Sequence, residues 1–169
     1  IKFGEASAVL AGSSLLTLAF EIIADKKYLL SPKAKNEIIK SLASCSGHTG
    51  IAGGQELDLK FENKKKGIKQ IIDMQKKKTG KLFNFCLHSV GVVSKKNTKE
   101  KLFLSNLGEE IGLLFQLADD FLDYNGSKKL LGKPVKKDHK KGKSTLLNLM
   151  GEKKAYLFAN NLKRKILRK

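Results

Sequence analysis

The chain has 169 residues, 41% of them hydrophobic, and 34 lysines and arginines against 16 acids give a formal net charge of +18. This length suffices for one domain with a sizeable core, and no run of about 18 apolar residues predicts a membrane span. Nearly all the positive charge is lysine, whereas nucleic-acid recognition favours arginine. These features argue against nucleic-acid binding and against stable membrane insertion, and they favour a solvated, lysine-rich surface.

The predicted elements are helices, and the first two make up the N-terminal third. The segment 4–25 is apolar nearly all round, which is typical of a buried helix. Ser31-Pro32 provides an N-cap followed by proline, and the helix that begins there can extend to about residue 60. Its middle, 43–54, is rich in small residues, whose glycines each lower helix stability by roughly 1 kcal/mol. We expect close approach of a ligand there, with tight helix packing as the alternative.

Three more helices are predicted in the rest of the chain. The first covers 67–94, with a break or kink at Thr79-Gly80, and the second covers 98–124. A loop rich in glycine and lysine follows over 126–144, and a basic amphipathic helix covers 151–169. No alternating pattern predicts a strand, so the sequence indicates a single all-α domain.

The cysteines and the first residues indicate the compartment. Cys45 and Cys86 are far apart and lack a CxxC spacing, which favours two free thiols over a disulfide. The first residues do not have the pattern of a signal peptide. We therefore expect a cytoplasmic protein.

The most informative feature is a polar stripe on the helix over 98–124. Gln116, Asp119, Asp120 and Asp123 are spaced i, i+3, i+4 and i+7, so they share one face of a helix whose other face is apolar. Neighbouring carboxylates repel one another by a few tenths of a kcal/mol per solvated pair. A Mg²⁺ ion would relieve this repulsion, since it takes oxygen ligands from carboxylates and phosphates. The alternative is a solvated acidic helix end.

Other polar groups suggest the same chemistry on other elements. Each group places polar or charged side chains close to a glycine in the sequence. The groups are Gln55 with Asp58, Lys78 with Thr79, Lys133 after Gly132, and Lys143 after Gly142. None has the GxxxxGK[ST] spacing of a P-loop. Acids that hold a metal and lysines that hold phosphate oxygens together predict the binding of a diphosphate through Mg²⁺.

The motifs also resemble those of a known family. Gly112-x-x-Phe115-Gln116-x-x-Asp119-Asp120-x-x-Asp123 is similar to the second aspartate-rich motif of the trans-isoprenyl diphosphate synthases, or polyprenyl synthetases. Further matches follow the family's order: Phe3-Gly4-Glu5, Gly54-Gln55-x-x-Asp58-Leu59, Lys78-Thr79, Leu131-Gly132-Lys133 and Gly142-Lys143-x-Thr145. The details favour the bacterial farnesyl or geranylgeranyl diphosphate synthase branch. The resemblance implies an all-α, isoprenoid-synthase-type bundle around a central cavity, with 1–169 as its C-terminal portion.

The resemblance implies a role for each matching residue. Asp119 would ligate Mg²⁺ directly, and Asp120 and Asp123 would help through water. Lys78 and Lys133 would contact the diphosphate of the allylic substrate. The remaining positions would lie beside the allylic carbon (Thr79, Gln116), line the substrate cavity (Gln55, Asp58, Phe115) or hold the covering loop or phosphate (Lys143).

The implied activity is the condensation of an allylic diphosphate with isopentenyl diphosphate, by Mg²⁺-assisted ionisation, condensation and elimination, in a homodimer. The products would be farnesyl or geranylgeranyl diphosphate. The family's first aspartate-rich motif belongs upstream of Phe3 and is absent from the chain, so we do not expect this chain to turn over alone. Two alternatives stay open: a non-catalytic regulatory subunit of the same fold, and a basic helical module that binds membrane or nucleic acid through 151–169.

Overall fold

The computed structural model describes residues 3–125 and 145–169. All regular elements in these ranges are helices, in the order α1 Glu5–Ala24, α2 Pro32–Ser46, α3 Ile51–Phe61, α4 Ile68–Gln75, a π-helical segment Lys76–Gly80, α5 Lys81–Val93, α6 Thr98–Asn125, α7 Leu146–Met150 and α8 Glu152–Leu167. The predicted all-α class is confirmed. The predicted loop over 126–144, with Lys133 and Lys143, lies outside the described residues.

The first helix differs from its prediction. None of its residues is buried, and large apolar side chains such as Val9, Leu10 and Leu15 are exposed. Its described packing is against α2, which leaves its other apolar faces uncovered. By length and composition α1 could also cross a membrane, with a mean hydropathy of 1.7. This corrects the expectation that no segment reaches that length and apolarity, although the core helix of a soluble protein meets the same criteria.

The predicted helix from Ser31 to about residue 60 is two helices, α2 and α3. Ser31 caps α2 as expected, by accepting a hydrogen bond from the backbone N–H of Ala34. The chain turns over 47–50, where a Cβ atom on Gly50 would overlap the carbonyl group of Cys45. The small residues therefore permit a sharp break between helices.

The predicted helix over 67–94 is present as α4, the π-helical segment and α5 in one continuous run. The expected irregularity at Thr79-Gly80 is the end of the π-helical segment Lys76–Gly80. A π-helical turn adds one residue to the ring closed by each hydrogen bond, and such turns are frequent at functional sites. Here the wider turn carries the adjacent residues Lys78 and Thr79.

Glycine lets α6 pack directly on this segment. A Cβ atom on Gly112 would lie 2.6 Å from the Cα atom of Gly80, and one on Gly108 would lie 2.5 Å from the carbonyl oxygen of Phe83. Gly112 thus faces the π-helical segment and Gly108 faces the start of α5, and neither position puts a side chain between the backbones. This contact brings the polar stripe of α6 close to Lys78 and Thr79.

The main core lies between α4, α6 and α7. Its buried members are Ile71, Met74, Leu113, Leu117 and Leu146. Because α4 and α6 share this core, the end of α4 is held against the C-terminal half of α6. The short helix α7 was not predicted, and Thr145 caps it by accepting a hydrogen bond from the backbone N–H of Asn148 at 3.1 Å.

Both cysteines are free, as expected. Cys45 is buried and Cys86 is exposed. Burial raises the pKa of the Cys45 thiol above its ordinary value, which keeps the sulfur protonated and unreactive at neutral pH.

Candidate active site

The π-helical segment carries one of the two polar groups of the site. Gly54 on α3 approaches it so closely that a Cβ atom there would overlap the backbone nitrogen of Lys78. The Nζ atom of Lys78 lies 2.5 Å from Oδ2 of Asp58, whose side chain is buried. The Lys78 side chain keeps 29% exposure, so the ion pair fixes the ammonium group while leaving part of it accessible.

The second polar group crosses from this segment to α6. The Thr79 hydroxyl donates a hydrogen bond to Oε1 of Gln116 at 2.9 Å. Gln116 in turn donates from Nε2 to Oδ1 of Asp120 at 2.9 Å. Thr79 is the immediate neighbour of Lys78, so the predicted Lys-Thr pair and the predicted Gln/Asp stripe form one connected site.

One residue of this site was missed by the sequence reasoning. Gln75, the last residue of α4, donates from Nε2 to Oδ2 of Asp120 at 3.1 Å. A signal was present, because Gln75 follows Ile71 by four residues and so falls on the buried face of α4. A polar residue at a buried position of a helix calls for a polar partner.

The other carboxylates of the stripe lie along the same helix. Asp119 is half-buried and Asp123 is buried. Within 3–125 and 145–169, no three histidine, cysteine or acidic side chains converge to cage a metal. The donors here are oxygens, and Mg²⁺ is usually bound by one or two carboxylates together with substrate phosphates and water. The residues therefore fit Mg²⁺ held jointly by protein and diphosphate, rather than a metal held by protein alone.

The two remaining described candidates are more exposed. Gln55 lies one turn before Asp58 on α3 and is exposed. Phe115 on α6 is also exposed, and its ring centroid lies 5.5 Å from that of Phe83. Their contact with substrate stays a prediction.

The comparisons with known proteins agree with this fold. The family model for polyprenyl synthetase matches residues 1–168, and the chain belongs to this family. The chain is 39% identical over 165 residues to the farnesyl diphosphate synthase of Escherichia coli, covering 96% of this chain and 55% of that protein. It is 33% identical over 160 residues to the farnesyl diphosphate synthase of Geobacillus stearothermophilus, covering 92% and 54%.

Solved structures give the same result for the fold. A geranyltransferase from Helicobacter pylori, complexed with magnesium and isoprenyl diphosphate, matches with a TM-score of 0.89 at 33% identity and covers 99% of this chain and 54% of its own. An FPP/GFPP synthase from Zymomonas mobilis matches with a TM-score of 0.83 at 35% identity. The family and the isoprenoid-synthase-type fold expected from the sequence are confirmed. The chain spans about half the length of the curated relatives it matches.

Proposed function

We propose that this chain is part of a short-chain prenyltransferase that condenses an allylic diphosphate with isopentenyl diphosphate. The products would be farnesyl or geranylgeranyl diphosphate. The observation that carries the proposal is the connected site in which Lys78 pairs with Asp58 of α3, while its neighbour Thr79 bonds to Gln116 and Gln116 bonds to Asp120 of α6. The similarity of the chain to farnesyl diphosphate synthases also supports the proposal.

Cationic groups would bind and stabilise the diphosphate as it leaves. Lys78 would present a positive charge whose position Asp58 fixes through the 2.5 Å ion pair. Lys133 and Lys143 would add charge from the sequence between α6 and α7. Asp119 would hold Mg²⁺ directly, with Asp120 and Asp123 acting through water. When bound, Mg²⁺ supplies the positive charge that stabilises a departing diphosphate.

Thr79 and Gln116 would lie beside the allylic carbon as its positive charge develops. The hydroxyl hydrogen of Thr79 is used in the bond to Gln116, so the Thr79 oxygen offers lone pairs to its surroundings. Gln116 is held at both ends of its amide, by Thr79 and by Asp120. A fixed dipole of this kind stabilises charge without reorganising during the reaction, and Gln55, Asp58 and Phe115 would line the cavity around it.

We also propose that protein, not membrane, covers the exposed apolar faces of α1, in a cytoplasmic homodimer. The match to the Helicobacter pylori structure covers 99% of this chain, so it extends over α1. The hydroxyl groups of Ser13 and Thr17 bond to the backbone of α1, which leaves its apolar faces free to pack. Sedimentation of the full-length protein tests this, since a dimer in detergent-free buffer supports it and membrane partitioning contradicts it.

The test of the activity uses the full open reading frame that contains this chain. We expect Mg²⁺-dependent condensation of geranyl diphosphate with isopentenyl diphosphate, and the product chain length identifies the branch. A soluble, folded protein that forms no product would contradict the proposal and favour the regulatory subunit.

The metal site is tested separately with Asp119→Ala. We expect it to abolish Mg²⁺-dependent binding of a diphosphate, measured by calorimetry, in a protein that still melts cooperatively without metal. Asp73→Ala removes an exposed carboxylate from α4 and serves as the matched control. Equal binding by both variants would contradict the role of Asp119.

A further inference from the structure

Gln75 has an environment that ordinary packing does not explain. Its side chain is 4% exposed, and its Nε2 atom donates to Asp120, which is also 4% exposed. The amide presents its N–H₂ group to the carboxyl group of Asp120, so its own oxygen points away from that group. The Oε1 atom of Gln75 is then fully buried, with no hydrogen-bond partner in the described part of the chain.

A buried amide oxygen without a donor is destabilising, and such groups call for a specific explanation such as an absent water or ligand. The oxygen belongs to the same amide that bonds Asp120, so it lies beside the predicted metal-binding stripe of α6. A donor that arrives there together with the metal would satisfy it. Water bound to Mg²⁺ is such a donor, because Mg²⁺ usually retains several waters when it binds protein and phosphate.

The amide chemistry also suits the charge of Asp120. Gln75 and Gln116 each donate to a different oxygen of this carboxylate, so both oxygens are oriented. Both donors are neutral, so neither cancels the negative charge that a metal ion needs. A lysine at position 75 would compete with the metal, and a leucine would leave Oδ2 without this donor.

We propose that Gln75 is a positioning residue for the metal and diphosphate, which fixes Asp120 through Nε2 and accepts a hydrogen bond from a metal-bound water through Oε1. The inference rests on the function proposed above. Gln75 acts through Asp120 and water, and it touches no reacting atom. Removing such an outer partner typically weakens metal affinity by about 10- to 100-fold.

The test measures metal affinity in the full-length protein. Mn²⁺ replaces Mg²⁺ as a spectroscopic probe, inorganic pyrophosphate supplies the diphosphate, and electron paramagnetic resonance measures free Mn²⁺. We expect Gln75→Leu to weaken Mn²⁺ binding in the presence of pyrophosphate by about tenfold. The metal-free melting temperature is measured alongside, because the variant removes a buried acceptor that has no donor, which is stabilising, and also the Nε2 donor to buried Asp120, which is destabilising.

Gln70→Leu is the matched control, since Gln70 is the same residue type on the same helix, is exposed, and accepts a hydrogen bond from the backbone N–H of Gly67 before the start of α4. Unchanged Mn²⁺ affinity in a folded Gln75→Leu variant, or an equal loss in Gln70→Leu, would overturn the inference. If Gln75→Leu does not fold, Gln75→Asn retains the amide but shortens it by one methylene, and the same two measurements apply.

The experiments distinguish a wrong role for Gln75 from a wrong proposed function. A wild-type protein that forms product, with unchanged Mn²⁺ affinity in Gln75→Leu, overturns the role of Gln75 alone. A wild-type protein that neither forms product nor binds Mn²⁺ with pyrophosphate overturns both.

Discussion

Two regions of the chain differ in how far their apolar side chains are buried. One is the layer formed by α4, the π-helical segment and α6, and the other is α1. In the layer, Ile71 and Leu117 are fully buried, and glycine brings the backbones of α6 and the π-helical segment into contact. On α1, no residue is buried. The polar site lies in the first region, so this chain contains the packing that orients its own candidate catalytic side chains. The apolar faces of α1 are left uncovered by the described residues.

The largest expected effect comes from the core of the layer. Leu117→Ala removes a side chain with no exposure, and we expect it to lower the free energy of unfolding by about 2–5 kcal/mol. Leu15→Ala on α1 removes an exposed side chain and should change the stability of this chain by less than about 0.5 kcal/mol. Urea denaturation of the chain measures both, and similar losses would contradict the difference between the regions.

The next effect concerns the partly buried ion pair of the site. Lys78→Gln removes the charge that Asp58 holds, and we expect kcat/KM of the full-length enzyme to fall about 100-fold, equivalent to about 2.7 kcal/mol of lost transition-state stabilisation. Lys27→Gln removes an exposed lysine that pairs with Asp25 beyond the end of α1, and it should leave kcat/KM unchanged. Steady-state kinetics with both variants decide this, and an equal fall would contradict the assignment.

A third effect distinguishes the two regions by their glycines. A Cβ atom on Gly112 would lie 2.6 Å from Gly80, whereas one on Gly12 of α1 would meet nothing within 4 Å. We expect Gly112→Ala to destabilise the chain by about 1–3 kcal/mol through overpacking. Gly12→Ala should stabilise it by about 0.5–1 kcal/mol, because alanine favours a helix. Thermal denaturation measures both signs, and stabilisation by Gly112→Ala would show that α6 can move away from the π-helical segment.

The sequence predicted those features that depend on local spacing. The stripe of Gln116 and the aspartates is fixed by the helical repeat, and the N-cap at Ser31 is fixed by its own hydroxyl. The helices over 98–124 and 151–169 were likewise located to within a few residues. The pairing of Thr79 with Gln116 was not derivable from spacing, although the resemblance put both beside the same carbon.

The features that were missed depend on contacts between distant parts of the chain. Gln75 joins the site because the shared core holds the end of α4 against α6, and no local pattern gives that juxtaposition. An apolar pattern around all of α1 predicted burial, but it cannot say which element supplies the covering surface. The break at 47–50 arises where glycine allows the chain to turn back on Cys45, whereas the same small residues could equally have packed within one helix.

The smallest expected effect concerns Glu37, which lies between the buried layer and the exposed helix α1. Glu37 lies on α2, against which α1 packs, and its Oε1 atom lies 2.5 Å from Nζ of Lys101 on α6 and 3.5 Å from Nε2 of His88. The hydrogen bond from Lys101 lowers the pKa of Glu37 below its ordinary value of 4.5. The folded carboxyl therefore has the lower pKa, so its contribution to stability is present above about pH 4.5 and is lost as pH falls through the folded value.

Glu37→Gln should lower stability at neutral pH by less than about 1 kcal/mol, since the pair is only partly buried. It should also flatten the acid side of the stability profile, because glutamine does not titrate. Glu56→Gln on α3 removes an exposed carboxylate that pairs with Lys60 and should have a smaller effect. Urea denaturation between about pH 3 and pH 7 measures this. Parallel profiles for wild type and Glu37→Gln would mean that α2 is not held to α6 by this pair, and that the weakly held region begins at α2 rather than at α1.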